Sequence, residues 1–223
     1  MAQKQALVIG LGQFGSALAR SLVAQHVEVV GIDTRMERVQ AAAPYLTDVV
    51  CLNATDEAAL AGLAPSRRDL CAVSLGENAR EGSILVTALL RQMGAPKIIS
   101  RATDDLHERV LRLVGAHEVV NPERAYGERL ATRLAHQGVA DIIPLGDGLA
   151  LTELIVPASF VGRSLIELTL PKRHGVTVVA IRMKDREGAT HLLLPDPRRP
   201  LREDDVLLLV SQTGAALSLA DRS

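Results

Sequence analysis

Three glycines and one carboxylate within the first 33 residues have the types and spacing to hold a phosphorylated ligand. The string Gly10-Leu11-Gly12-Gln13-Phe14-Gly15 follows a short apolar run, Ala6–Gly10, and opens an amphipathic stretch, Phe14–Gln25. Between a strand and a helix, the first glycine allows a tight turn, the second lets backbone approach a pyrophosphate, and the third lets the helix pack on the strand. Amides at that helix start then face the phosphates, aided by the positive end of the helix dipole. Asp33 ends the next apolar run, eighteen residues after Gly15. That is close to the roughly 20-residue offset of a carboxylate that accepts bonds from ribose hydroxyls. An acid there repels a 2′-phosphate and disfavours NADP, whereas Arg35 works against that exclusion. The bland alternative is a glycine trio that serves chain geometry alone.

Further candidates stand at the ends of later apolar runs. Asn53-Ala54-Thr55 and Ser74-Leu75-Gly76 belong to the carboxyl edge, where ligands of open α/β sheets bind. Turn and helix-cap chemistry explains both strings equally well. Arg101 ends the fifth run and has the reach for a phosphate or for a surface ion pair. Glu123 is placed either to share a cation with phosphate or to favour a helix start through the dipole. The six histidines are scattered singly, without metal-ligand spacing. No nucleophile elbow, Cys–His pairing or loop with paired carboxylates is visible, so catalysis is not expected. A NAD-dependent oxidoreductase of unknown substrate is the alternative that the glycine motif leaves open.

The elements that must position these residues follow from periodicity. Six apolar runs, Ala6–Gly10, Val27–Ile32, Asp48–Leu52, Leu70–Leu75, Lys97–Arg101 and His117–Asn121, are too short for helices and nearly continuous, as in strands buried on both faces of a parallel sheet. Helical stretches lie between them: Phe14–Gln25, Arg35–Ala43, Glu57–Gly62, Arg80–Met93 and Asp105–Val114. The last has an N-cap at Thr103-Asp104 and a C-terminal stop at Gly115. This alternation predicts an α/β, doubly wound parallel Rossmann sheet in the order 3-2-1-4-5-6. Cys51 and Cys71 then lie too far apart for a disulfide and read as reduced core thiols.

After Pro122 a longer helix, Glu123–His136, is apolar at Ala125, Leu130, Ala131 and Leu134 and reads as a connector or subunit-contact helix. Turn chemistry at Pro144, Gly146, Asp147 and Gly148 predicts the domain boundary within Asp141–Gly148. The expected division is a nucleotide-binding domain at 1–140, connector helix included, and a smaller α+β domain at 145–223. The latter combines strands at Ala150–Val156, Thr177–Arg182, Thr190–Leu194 and Asp205–Val210 with helices at Ser164–Leu168 and Thr213–Leu219, and a hairpin turn at Asp185–Gly188.

Charge and composition exclude several classes. With 25 basic and 26 acidic residues there is no basic field for a nucleic-acid backbone, and four aromatics with no Trp leave no base-stacking platform. No apolar run approaches the roughly 18 residues of a membrane span, and no signal peptide precedes the first strand, so a cytoplasmic protein is expected.

Taken together, Gly10–Gly15, Asp33, Asn53-Ala54-Thr55, Ser74-Leu75-Gly76 and Asn121-Pro122-Glu123 give a chain that resembles the cytoplasmic regulatory subunits of Ktr/Trk-type bacterial potassium transporters. Those proteins join a regulator-of-potassium-conductance N domain, TrkA-N, to a smaller TrkA-C domain. The second half fits through Val161–Leu165, Gly175–Ile181 and Leu201–Val206. The resemblance implies binding of ATP, ADP or NAD(H), and dimers that assemble into an octameric ring. It also implies docking on a potassium-translocating membrane subunit of the KtrB or TrkH kind. Gly10, Gly12, Gly15, Asp33, Asn53, Thr55 and Arg101 match the family's nucleotide contacts, with Gln13, Phe14, Arg35, Ala54, Ser74 and Gly76 as neighbours in the same strings. Glu123 matches an acidic position that helps hold Mg²⁺ or Na⁺ near the phosphates. Gln13 departs from the Ktr branch, where Arg is common and is associated with telling ATP from ADP. Leu165, Ile166, Arg173 and His174 lie in the stretch where part of the family binds cyclic di-AMP, although dimer packing explains them more simply.

Overall fold

The structure is a computed structural model that describes residues 3–185, 188–212 and 214–220. It divides into two compact units, Met1–Glu123 and Arg124–Ser223. The middle of the expected Asp185–Gly188 turn and the Thr213 start of the terminal helix lie outside the described residues.

The first unit alternates strand and helix. Its elements are β1 (Gln5–Ile9), α1 (Gln13–Ala24), β2 (Glu28–Asp33), α2 (Met36–Ala42), β3 (Asp48–Cys51), α3 (Glu57–Ala61), β4 (Leu70–Val73), α4 (Arg80–Gln92), β5 (Ile98–Arg101), α5 (Asp105–Leu113) and β6 (Glu118–Val120). The strands form one parallel sheet in the order β3-β2-β1-β4-β5-β6, the order expected from the alternation. Side chains alternate across it with period two. Leu7, Ile9, Val30, Ile32 and Val73 pack with Val86 and Leu90 of α4 on one face. Ala6, Val8, Val29 and Ala72 pack with Ala19 of α1 and Ala42 of α2 on the other. Asp104 caps α5 by accepting the His107 N–H at 2.8 Å. His107 is fully buried and satisfied, its Nε2 lying 2.7 Å from Ser83 Oγ.

The cysteines separate as expected, but they are not both core thiols. Cys71 is buried, and burial pushes its thiol up to about 12, so it is inert at neutral pH. Cys51 is exposed because β3 is an edge strand and Cys51 is its last residue.

The second unit holds α6 (Pro122–Ala135) from Arg124 onward, then β7 (Val139–Gly146), β8 (Leu149–Ile155), α7 (Leu165–Leu168), α8 (Leu170–His174), β9 (Thr177–Lys184), β10 (Thr190–Leu193), β11 (Val206–Gln212) and α9 (Leu217–Ala220). Its five strands form an antiparallel sheet in the order β10-β9-β11-β8-β7. Leu154, Leu168, Leu170, Ile181, Leu207 and Leu209 make its core. Asp141–Gly148, expected to hold the domain boundary, is instead most of β7 and its turn, and the units divide at Glu123/Arg124. Asp147 and Gly148 both have positive φ, 50° and 77°, between the paired residues Gly146 and Leu149. That is the Asp-Gly geometry of a two-residue hairpin turn, and Pro144 is tolerated because β7 is an edge strand. The short helix α8 was also not expected. No residue of α6 is buried, and Leu134 is 75% exposed.

Ser164 and Glu167 form a reciprocal cap on α7. The Ser164 side chain accepts the Glu167 N–H at 3.4 Å, while the Glu167 carboxylate accepts the Ser164 N–H at 2.7 Å. Replacing Ser164 by Ala should cost about 1 kcal/mol of unfolding free energy by urea titration. An unchanged midpoint and slope would show that the cap contributes nothing.

Candidate functional site

A crevice of about 400 Å³ opens at the carboxyl edge of the parallel sheet. It lies where the strand order reverses, between β1 with its successors on one side and β4 on the other, the place at which open α/β sheets bind ligands. Its floor and walls come from Ile9, Gly10, Ile32, Asp33, Leu52–Thr55, Ser74–Gly76 and Arg101, together with the starts of α1 and α4.

The glycine loop is shaped by contacts that only glycine permits. Gly10 has φ +94° and donates its N–H to the Ile32 carbonyl at 2.7 Å. At Gly15 a β-carbon would lie 1.8 Å from the Gly10 carbonyl oxygen and 2.3 Å from Ser74 Oγ, so helix and strand touch backbone to backbone. Ser74 is 4% exposed, and its hydroxyl faces the Ile9 and Gly10 carbonyls at 2.9 and 2.5 Å, pinning the turn. Gly12 caps α1 without any side-chain hydrogen bond, and the first turn of α1 carries no acidic residue. The first turns of α2, α3 and α4 each carry one and that of α5 carries two. The N–H groups that open α1 are thus left to a ligand, and nothing in the first turn offsets their positive field.

Asp33 is 5% exposed and already well partnered. Its Oδ2 accepts the Leu11 N–H at 2.8 Å and Arg38 Nη1 at 3.1 Å, and its Oδ1 accepts the Arg35 N–H at 2.9 Å. Burial alone would raise its pKa, but the bonds from Arg35, Leu11 and Arg38 outweigh burial and hold the carboxyl below the usual carboxylate value. A carboxylate offers about four lone-pair sites, so room for a ribose hydroxyl remains chiefly on Oδ1.

Asn53 folds its side-chain oxygen onto the N–H and hydroxyl of Thr55 at 3.1 and 2.9 Å, a local turn that presents both residues to the crevice. Arg101 is 18% exposed along its side chain, and its guanidinium lies 5.9 Å from the Phe14 ring. It donates through Nη2 to Glu123, while its buried Nε has no partner among the described residues.

Of the residues expected from sequence, Gly10, Gly12, Gln13, Asp33, Arg35, Asn53, Ala54, Thr55, Ser74, Gly76 and Arg101 line the crevice. Phe14, Gly15 and Glu123 do not: Gly15 sits beneath the loop, and Phe14 and Glu123 flank Arg101. Among the described residues no group of three or more His, Cys, Asp or Glu is disposed to hold a metal ion. Glu123 is a single carboxylate, 62% exposed and paired with Arg101, so it could supply one ligand to a cation whose other ligands would be phosphate oxygens and water. Sequence reasoning missed Ile9, Ile32, Thr34, Arg38, Leu52, Asn78, Ala79, Gly82 and Val86, which complete the lining. Arg38 was legible in principle: one turn into a helix that starts just after Asp33, its side chain can return to the strand end.

Two family models match the chain, the TrkA-N domain over residues 6–122 and the TrkA-C domain over residues 151–222. The chain is 32% identical over 207 residues to the Ktr system potassium uptake protein A of Bacillus subtilis, covering 93% of this chain and 91% of that protein. Ktr system potassium uptake protein C of the same organism is 30% identical, with 93% and 92% covered. Among solved structures, the GsuK RCK domain superposes with a TM-score of 0.68 at 20% identity, covering 99% of this chain and 47% of that one. A GsuK channel bound to NAD gives 0.68 at 21% identity, covering 98% of this chain and 39% of that one. The chain thus spans less than half of each of those two chains, and at such identities the likeness establishes the fold. With both domain models in register on the two units, the chain belongs to the TrkA-N/TrkA-C family that includes the Ktr system potassium uptake proteins.

Proposed function

We propose that this chain is a nucleotide-sensing cytoplasmic regulatory subunit that gates a membrane potassium-uptake transporter. The observation that carries the reading is the crevice at the start of α1, where helix amides without a side-chain cap and three arginines face a single carboxylate. Such a place suits the phosphates of ATP, ADP or NAD(H). The names of the Ktr relatives supply the process, potassium uptake. Because no helix among the described residues is long and apolar enough to cross a membrane, the translocating step belongs to a partner of the KtrB or TrkH kind. Dimers that close into an octameric ring are the proposed assembly, and α6, with no buried residue, is a surface left for a second copy.

In this reading the nucleotide acts by binding one ring geometry more tightly than another, a difference of about 1–3 kcal/mol for typical coupled sites. The first unit, residues 1–123, carries the nucleotide and the second, residues 124–223, completes the subunit. In the latter, Ile166 is exposed and Arg173 and His174 end α8, which keeps that stretch the place to look for cyclic di-AMP. Glu123, exposed beside Arg101, is the carboxylate at which Mg²⁺ or Na⁺ would be shared with the phosphates.

Thermal unfolding with ATP, ADP, NADH and cyclic di-AMP tests the reading. A ligand at a hundred times its Kd should add about 2.7 kcal/mol to the stability of the folded chain. Arg101→Ala should reduce the shift for the adenine nucleotides at the same concentration. Absence of any shift with millimolar ATP, ADP and NADH would overturn the proposal.

A further inference from the structure

The charge at the end of β2 differs from what an acidic residue there suggests. Asp33 brings one negative charge, but Arg35 and Arg38 bring two positive ones to the same rim of the crevice, and Arg38 is bonded directly to the Asp33 carboxylate. Across the whole lining the formal balance is three arginines against one aspartate, or +2, among the described residues. Arg38 is not held away from the ligand space. Its side chain is 39% exposed, and a β-carbon at Gly12 would lie 3.7 Å from its Nη1, so the guanidinium sits over the loop that approaches the phosphates. One Nη1 bond to Asp33 uses one of five guanidinium donors.

We infer that Arg38, with Arg35 beside it, makes this rim accept a phosphate on the adenosine 2′-oxygen, so that the crevice takes NADP(H)-type ligands as readily as their unphosphorylated counterparts. This deepens the nucleotide-binding reading and rests on it. A lone carboxylate at the end of the second strand accepts the ribose hydroxyls and repels a 2′-phosphate, whereas a nearby arginine accommodates that phosphate. Here the two groups are paired. Asp33 has spent Oδ2 on Leu11 and Arg38, so its charge is compensated where a 2′-phosphate would approach, while the planar fork of Arg38 keeps donors for two phosphate oxygens. Oδ1 still has a lone pair for an unphosphorylated ribose, and the same rim serves both ligands.

The test uses two ligand pairs that differ only in the 2′-phosphate, NAD⁺ with NADP⁺ and AMP with adenosine 2′,5′-bisphosphate, by calorimetry on the full chain. In wild type the phosphorylated member should bind within about three-fold of its partner, or more tightly. Arg38→Ala should weaken the phosphorylated member at least about ten-fold more than the other, and Arg38→Lys, which keeps charge but loses the fork, should fall between. A wild-type preference of a hundred-fold or more against the 2′-phosphate overturns the inference without any variant. Equal losses for both members of a pair in Arg38→Ala do so as well. If no member of either pair binds, the nucleotide reading itself fails first, a result that the thermal shifts with ATP and ADP would register separately.

Discussion

Gly15→Val is expected to abolish the folded first unit, with no cooperative thermal transition from it and no nucleotide binding. The cause is contact at the joint between β1 and α1. The first side-chain atom would lie 1.8 Å from a backbone oxygen and 2.3 Å from a buried hydroxyl, where real contacts stay above 3.0 Å. The first is backbone, and the second is a buried hydroxyl held by two carbonyls. The helix would have to lift off the strand, breaking the Ser74 contacts with Ile9 and Gly10 that hold the turn. Overpacking with a broken hydrogen-bond network falls in the rare class that costs more than about 4 kcal/mol. Gly12→Ala is the matched control. Its added carbon meets only Arg38, at 3.7 and 3.9 Å, so the fold should persist with stability changed by under about 1 kcal/mol while a diphosphate is kept from the backbone. A Gly15→Val protein with wild-type circular dichroism and melting would refute this account of the joint.

Asp33→Ala should be the second large effect, losing about 2–4 kcal/mol of stability at neutral pH. The substitution strands the Leu11 and Arg35 N–H groups and removes the anion beside Arg38. Its pH dependence has a defined sign. Burial acts to raise the Asp33 pKa, but its three donors prevail and the folded value lies below the 3.8 of the free side chain. The ionised carboxylate therefore contributes fully above about pH 4, and its contribution is lost as pH falls through the folded pKa. Comparing Asp33→Asn with wild type by urea unfolding, the gap should be constant between pH 5 and 7 and should close in more acidic solution. A gap as wide at pH 2 as at pH 6 would mean that shape rather than charge is what Asp33 supplies.

Much of this molecule is readable along the chain because its signals are local. Short, nearly continuous apolar runs divided by amphipathic stretches read as buried strands with covering helices, so a doubly wound sheet follows, and the glycine string after the first run selects the dinucleotide-binding order. The glycine string and Asp33 are equally legible, since backbone conformation and strand-end position depend on neighbours in sequence. The same local habit of reading misled at Asp141–Gly148. Pro, Gly and Asp signal a turn, but whether that turn separates domains or closes a hairpin depends on whether β8 is there to pair with β7.

What the tertiary structure alone decided is how the charges meet. Asp33 and Arg38 are five residues apart, yet their pairing requires α2 to start at Met36 and fold back over the end of β2. Arg101 and Glu123 come together only because β5 and β6 are neighbours. Ser74 holds the glycine loop from 64 residues away, across the β1–β4 ladder. Spacing along a chain selects which groups can reach a strand edge, whereas their electrostatics depend on through-space distance. Distances of that kind exist only once the sheet has brought the strand ends side by side.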